Sequence, residues 1–214
     1  MDNHLKNKYD SIIFDLDGTL WDSMDTVARG WQNAKEQVDF VSLDFTREVI
    51  RPTIGMTYKA IFETLLPELT EEQREAYKTI AAKTELEALH THGGELYPEL
   101  NETLKYLLGK YKLYIVSNCQ NGYIEAFLKI SGMESYFLGH QCYGTKSQPK
   151  AENIMDVVKD YQLKAPVYVG DTMGDYDAAT KAGVPFIFAN YGFGTVDENQ
   201  AATISAFREL QDIL

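Results

Sequence analysis

Short runs of apolar, β-branched and aromatic residues recur along the chain at Ser11-Ile12-Ile13-Phe14, Leu113-Tyr114-Ile115-Val116, Val167-Tyr168-Val169 and Phe186-Ile187-Phe188. Such runs, with little polar alternation inside them, predict strands buried on both faces. Apolar positions at helical spacing fill Leu100 to Lys110, Ile124 to Ile130, Ala151 to Tyr161 and Tyr176 to Ala182. Strands alternating with helices predict an α/β fold with a parallel sheet covered on both faces.

One interval breaks the alternation. The stretch between the strand near Ile13 and the strand near Ile115 is far longer than a βαβ crossover needs, so something is inserted there. Thr70-Glu71-Glu72-Gln73 has capping-box spacing, in which the Thr hydroxyl accepts from the N3 amide and Gln73 reaches back. Ala76, Tyr77, Ile80, Ala81, Thr84 and Ala88 then recur as one face of a long amphipathic helix. Asp25 to Val38 and Tyr58 to Leu66 also read as helices, with Pro52 and Gly55 punctuating the segment between them. The expected division is a helical insert over residues 21–92, with 1–20 and 93–214 forming the α/β core. His90-Thr91-His92-Gly93-Gly94 is the expected hinge, since its glycines permit backbone rotation.

Composition narrows the function. The 214 residues are 44% hydrophobic and 24% charged, ordinary globular usage for a chain able to bury a sizeable core. The formal charge of −12 disfavours nucleic acid and anionic membrane surfaces as partners. Two cysteines, Cys119 and Cys142, are too few for a disulfide framework and suit a reducing cytoplasm. Met1 to Asp10 is polar and no run is long enough for a membrane span, so a soluble, cytoplasmic protein is expected, monomeric or a homodimer.

The chemistry concentrates where strands end. Phe14-Asp15-Leu16-Asp17-Gly18-Thr19-Leu20 follows the first strand, and Gly170-Asp171-Thr172-Met173-Gly174-Asp175 follows a later one. Parallel strands bring their carboxyl ends to one crevice, so Asp15 and Asp171 are expected to converge. Two unit charges ~4 Å apart repel by about 4 kcal/mol at an effective dielectric near 20, and therefore call for a cation between them. All-oxygen ligation points to Mg²⁺, which also presents a positive centre to an anionic phosphate despite the acidic chain. Ser117 and Asn118 supply a hydroxyl and an amide suited to phosphate oxygens, and Lys150 stands just before the helix opening at Ala151. Lys146 is the competing lysine.

The ordered set Asp15-x-Asp17-Gly18-Thr19, Ser117-Asn118, Lys150 and Gly170-Asp171-x-x-x-Asp175 resembles the haloacid dehalogenase superfamily, and most nearly its phosphoglycolate phosphatase-like branch. The resemblance covers nearly the whole chain and places the insert where that branch carries its cap. It implies a doubly wound, Rossmann-like parallel-sheet core with an inserted α-helical cap. It also implies a magnesium-dependent phosphatase acting on a small phosphate monoester. Asp15 would be the nucleophile and a metal ligand, and Asp17 the general acid and base, with its backbone carbonyl on the metal. Ser117 and Lys150 would hold phosphoryl oxygens, Asp171 would complete the protein ligands, and Asp175 would support the site from behind. The third motif departs from the common Lys-Pro-x-Pro, reading Lys146-Ser147-Gln148-Pro149-Lys150; Lys150 is preferred because Ala151-Glu152-Asn153 opens a helix directly after it.

Other residues admit simpler roles. Asp22 and Ser23 are expected to cap the first insert helix rather than touch substrate. Cys119 is expected to be an inert buried thiol, and His90 and His92 a solvated linker rather than a metal pair. The glycines of Tyr191-Gly192-Phe193-Gly194 are expected to permit a tight turn. Asp25, Arg29 and Trp31 could face substrate or serve packing and surface charge. Two other functions compete: a phosphomutase, against which Thr19 argues mildly, and a catalytically inert phosphate-binding module.

Overall fold

A computed structural model of the chain describes residues 5–214; Met1 to His4, part of the polar start, lie outside the described residues. In chain order, β1 (Ser11–Phe14) and the short β2 (Trp21–Asp22) lead into α1 (Met24–Lys35), α2 (Arg47–Ile50), α3 (Tyr58–Leu65) and α4 (Glu71–His92). The chain continues through β3 (Glu95–Leu96), α5 (Leu100–Leu108), β4 (Lys112–Ser117), α6 (Tyr123–Ser131), β5 (Gly139–Cys142), α7 (Tyr143–Lys146) and α8 (Lys150–Asp160). It closes with β6 (Pro166–Gly170), α9 (Met173–Ala182), β7 (Phe186–Ala189), β8 (Ala202–Ile204) and α10 (Leu210–Ile213).

Six strands pair in parallel in the order β5-β4-β1-β6-β7-β8. The pleat explains why the strand runs are apolar throughout. Ile12, Phe14, Ile115, Val169 and Ile187 enter one core, while Ile13, Tyr114, Val116, Tyr168 and Phe188 enter a second core on the other face. Each large side chain fully buried this way contributes about 1.5–3 kcal/mol.

Because β1 lies between β4 and β6, the connections diverge to either side of it and open a crevice beyond its carboxyl end. Phe14 is in register with Ile115 and Val169. Ser117 and Asp171, each two residues past those partners, therefore reach the edge that Asp15 occupies.

The helices between β1 and β4 have a core of their own, centred on aromatic residues. Trp31 meets Phe62 with ring centres 5.0 Å apart, and Phe45 stacks on Tyr77 at 5.5 Å. Thr70 and Gln73 form the reciprocal capping box, and α4 buries Tyr77, Ala81, Thr84, Glu85, Ala88 and Leu89. β2 and β3 pair antiparallel where the chain enters and leaves this helical layer. The architecture is the expected α/β core with a helical cap.

Several boundaries differ from expectation, among them the end of α1 at Lys35 rather than Val38. α4 continues through His90 and His92, which are exposed in its last turn, so they are helix rather than linker; the break falls at Gly93, with φ +67°. α9 begins at Met173 rather than Tyr176, because Thr172 and Asp175 make a second capping box. Among the described residues no helix is long and apolar enough to cross a membrane.

Candidate active site

The crevice at the end of β1 gathers Asp15, Asp171 and Asp175, all buried, with carboxylate oxygens within 4.8 Å of one another. Lys150, the first residue of α8, is itself 5% exposed and donates to Asp15 Oδ1 at 3.0 Å and Asp175 Oδ1 at 2.6 Å. One ammonium thus bridges two of the three acids. Burial and the neighbouring carboxylates raise the pKa of Asp15 and Asp171, while Lys150 pulls both back. Lys146 lies elsewhere, paired with Asp156 at the surface.

Asp171 has only neutral partners among its hydrogen bonds: Thr19 Oγ1 at 3.3 Å and the Phe193 amide at 2.8 Å. Asp175 is fully engaged, accepting from Lys150, Tyr168 OH, Thr172 Oγ1 and the Thr172 amide. That leaves Asp15 and Asp171 as the acids with capacity for a cation. Three carboxylates against one ammonium, in an all-oxygen donor set, fit a hard divalent ion.

Asp17 occupies a different environment although it is two residues from Asp15. Its Oδ1 accepts from Trp21 Nε1 at 2.9 Å, Ser23 Oγ at 2.6 Å and Tyr123 OH at 2.9 Å. Burial raises its pKa against these three donors. The tight turn directly after the two acids depends on Gly18, whose φ is +84° and whose hypothetical Cβ would stand 2.1 Å from Asp171 Oδ2.

Ser117 is buried and lines the pocket above Asp15, together with Asn118, whose Nδ2 donates to Gly55 O of the helical layer at 2.8 Å. Asn118 Oδ1 is buried without a partner. Cys119 lines the same pocket, and burial pushes its thiol pKa up, as suits an inert thiol.

Several simple expectations are revised here. Ser23 occupies the N-cap position of α1 but makes no capping hydrogen bond; it serves Asp17, and Asp22 Oδ1 accepts from the Met24 amide instead. Gly192 and Gly194 do more than permit a turn. A Cβ on Gly192 would lie 2.4 Å from Asp171 Cβ, and one on Gly194 2.7 Å from Asp171 O, so the loop's backbone packs directly on the acid. Asp25 and Arg29 are exposed, with Asp25 paired to Arg47, while Trp31 is buried and lines the pocket. Trp21 and Tyr123, which hold Asp17, have no sequence signal beyond Trp21 directly following the first motif. Glu85 also reaches the pocket and was hidden in the apolar face of α4.

Residues 12–189 match the haloacid dehalogenase-like hydrolase family. The chain belongs to that family. It is 29% identical over 190 residues to a phosphoglycolate phosphatase of Aquifex aeolicus, covering 85% of each chain. It is 27% identical over 186 residues to a pyrophosphatase of Listeria welshimeri, covering 83% of this chain and 82% of that one. A haloacid dehalogenase-like hydrolase from Streptococcus pneumoniae superposes with a TM-score of 0.83 at 22% identity, covering 96% of this chain and 98% of the other, which extends the likeness of fold to the helical layer. This member of the family thus has a buried acid cluster, a lysine bridging two of its carboxylates, and a separate carboxylate facing a hydroxyl pair.

Proposed function

We propose that the protein is a magnesium-dependent phosphatase that hydrolyses a small phosphate monoester through an aspartyl-phosphate on Asp15. The observation that carries the reading is the division of the two acids of one turn between two environments. Asp15 sits with Asp171 and beside an ammonium, as a nucleophile and metal ligand should; Asp17 sits apart, held through one oxygen by Trp21, Ser23 and Tyr123, as a positioned acid and base should.

In this reading a carboxylate oxygen of Asp15 attacks phosphorus as the bond to the leaving oxygen breaks, and Asp17 gives that oxygen its proton. Asp17 then takes a proton from water, whose oxygen attacks phosphorus and releases Asp15 and inorganic phosphate. Lys150 and the Ser117 hydroxyl neutralise and orient the phosphoryl oxygens. Asp15, Asp171 and the Asp17 backbone carbonyl would hold Mg²⁺, which when bound supplies positive charge to the transferred group. Asp175 acts through Lys150 and the start of α9.

The cap, taken as residues 21–92 with 1–20 and 93–214 as the core, would close over the site and exclude bulk water, turning at Gly93-Gly94. The relatives named as a phosphoglycolate phosphatase and a pyrophosphatase support phosphoryl hydrolysis as the reaction class. The acidic chain and its two free cysteines suit action on a small molecule in the cytoplasm, with no nucleic-acid or membrane partner, as a monomer or homodimer. Release of inorganic phosphate from p-nitrophenyl phosphate, measured with Mg²⁺ and with EDTA, tests the reading. Turnover should need the metal and vanish in Asp15→Asn; equal turnover in that variant would sink it.

A further inference from the structure

The pocket beyond Asp15 has apolar walls, among them Met24, Val27, Ile50, Ile54 and Ile61 from the cap. Into this lining α4 brings Glu85, which is 3% exposed. A buried acid on an otherwise apolar stripe is costly unless partnered. It does not belong to the acid cluster at the end of β1, and the hydrolytic steps above do not use it.

Glu85 is held firmly. Its Oε2 accepts from Trp31 Nε1 at 2.6 Å and from Tyr58 OH at 2.9 Å, and the Gln120 side chain also interacts with it. Gly30 of α1 lets the two helix backbones approach so closely that a Cβ there would lie 2.6 Å from Glu85 Cα. An indole N–H can only donate, so Oε2 is an acceptor in every protonation state of the acid. The Trp31 and Tyr58 bonds both fall on Oε2, so neither occupies Oε1. The same pocket contains an acceptor with no partner, Asn118 Oδ1, whose orientation is fixed because Nδ2 donates to Gly55 O.

The complementary charge is missing. Lys150 is the only basic residue among the described residues lining this pocket, and it is committed to Asp15 and Asp175. A substrate whose organic part carried a carboxylate or a second phosphate would meet acceptors and a buried acid, with no cation to receive it. Like charges juxtaposed without solvent cost several kcal/mol.

We propose that Glu85 is a specificity residue that selects phosphate monoesters whose leaving group bears a hydroxyl or ammonium donor and no second acid. The inference rests on the phosphatase reading and deepens it, and it separates this chain from relatives named for phosphoglycolate and pyrophosphate. Apolar walls with a few placed polar groups are the usual means of fixing a small ligand's orientation, and unpaired acceptors reject a ligand that lacks donors.

Four nearly isosteric esters test it with the wild-type protein and Mg²⁺ at pH 8, where the Glu85 carboxyl, lifted by burial to about 7, is ionised: 2-hydroxyethyl phosphate, 2-aminoethyl phosphate, propyl phosphate and phosphoglycolate. The kcat/KM for the better of the hydroxyl and ammonium esters should exceed that for phosphoglycolate by at least about tenfold and that for propyl phosphate by a smaller factor. In Glu85→Gln the preference over phosphoglycolate should shrink severalfold. Phosphoglycolate turned over as well as the donor-bearing esters, or a preference unchanged in Glu85→Gln, would overturn the assignment. So would hydrolysis of none of the four by protein that still turns over p-nitrophenyl phosphate. Loss of all turnover, p-nitrophenyl phosphate included, would instead overturn the phosphatase reading beneath it. The wild-type series decides even if the variant does not fold.

Discussion

Replacing Glu85 by Gln should change the pH dependence of stability in a defined direction. Burial outweighs the donors from Trp31, Tyr58 and Gln120 and lifts this carboxyl from its ordinary 4.5 to about 7. Below pH 4.5 the acid is protonated in both the folded and the unfolded chain, and its folding contribution is fully present. As pH rises further, the unfolded chain releases the proton while the fold retains it, so stability is lost progressively until the folded group ionises near pH 7. At about 1.4 kcal/mol per pH unit the loss totals ~3 kcal/mol. Gln keeps an oxygen to accept from Trp31 and Tyr58 but does not titrate, so Glu85→Gln should gain on wild type by roughly that amount between pH 4.5 and pH 8. Urea unfolding of both proteins across that range reads the difference directly, and titrations common to both cancel. Parallel curves, with a gap constant to within about 0.5 kcal/mol, would refute the assignment of a strained buried charge at this position.

Three further outcomes follow from the site. Lys150→Met leaves Asp15 and Asp175 buried without their ammonium, and should lower stability in urea by about 3–5 kcal/mol and remove phosphate release; Lys146→Ala, which breaks only a surface pair, should keep wild-type turnover. Asp17→Asn should reduce kcat by about 10²–10⁴ for an alkyl phosphate and by less for p-nitrophenyl phosphate, whose leaving oxygen needs little proton assistance. Equal losses on the two substrates would argue against proton donation by Asp17. Gly18→Ala forces a side chain into a left-handed backbone 2.1 Å from Asp171 Oδ2, and should cost at least about 1 kcal/mol in thermal unfolding along with most activity.

Much of the fold was legible because it follows from short-range rules. A strand buried on both faces must be apolar throughout, and β1, β4, β6 and β7 stand out for that reason. The Thr70 capping box marks the start of α4 within a few residues of chain. Acids at strand ends were equally readable, because parallel pairing alone carries Asp15 and Asp171 to one edge. The sequence by itself thus determined the α/β architecture, the place of the helical layer and the convergence of the acids.

What it did not determine were contacts between residues far apart in the chain. Lys150 and Lys146 are both reasonable by spacing, and only the path of α8 turns one inward to Asp15 while the other stays with Asp156. Ser23 looks like a cap until Tyr123, one hundred residues away, joins it on Asp17. Glu85, on which the periodicity of α4 says nothing, becomes a pocket residue because Gly30 lets α1 approach and Trp31 and Tyr58 close around it. Periodicity reports which face of a helix is apolar; the electrostatic role of a single side chain depends on which distant donors and charges the packed chain sets beside it.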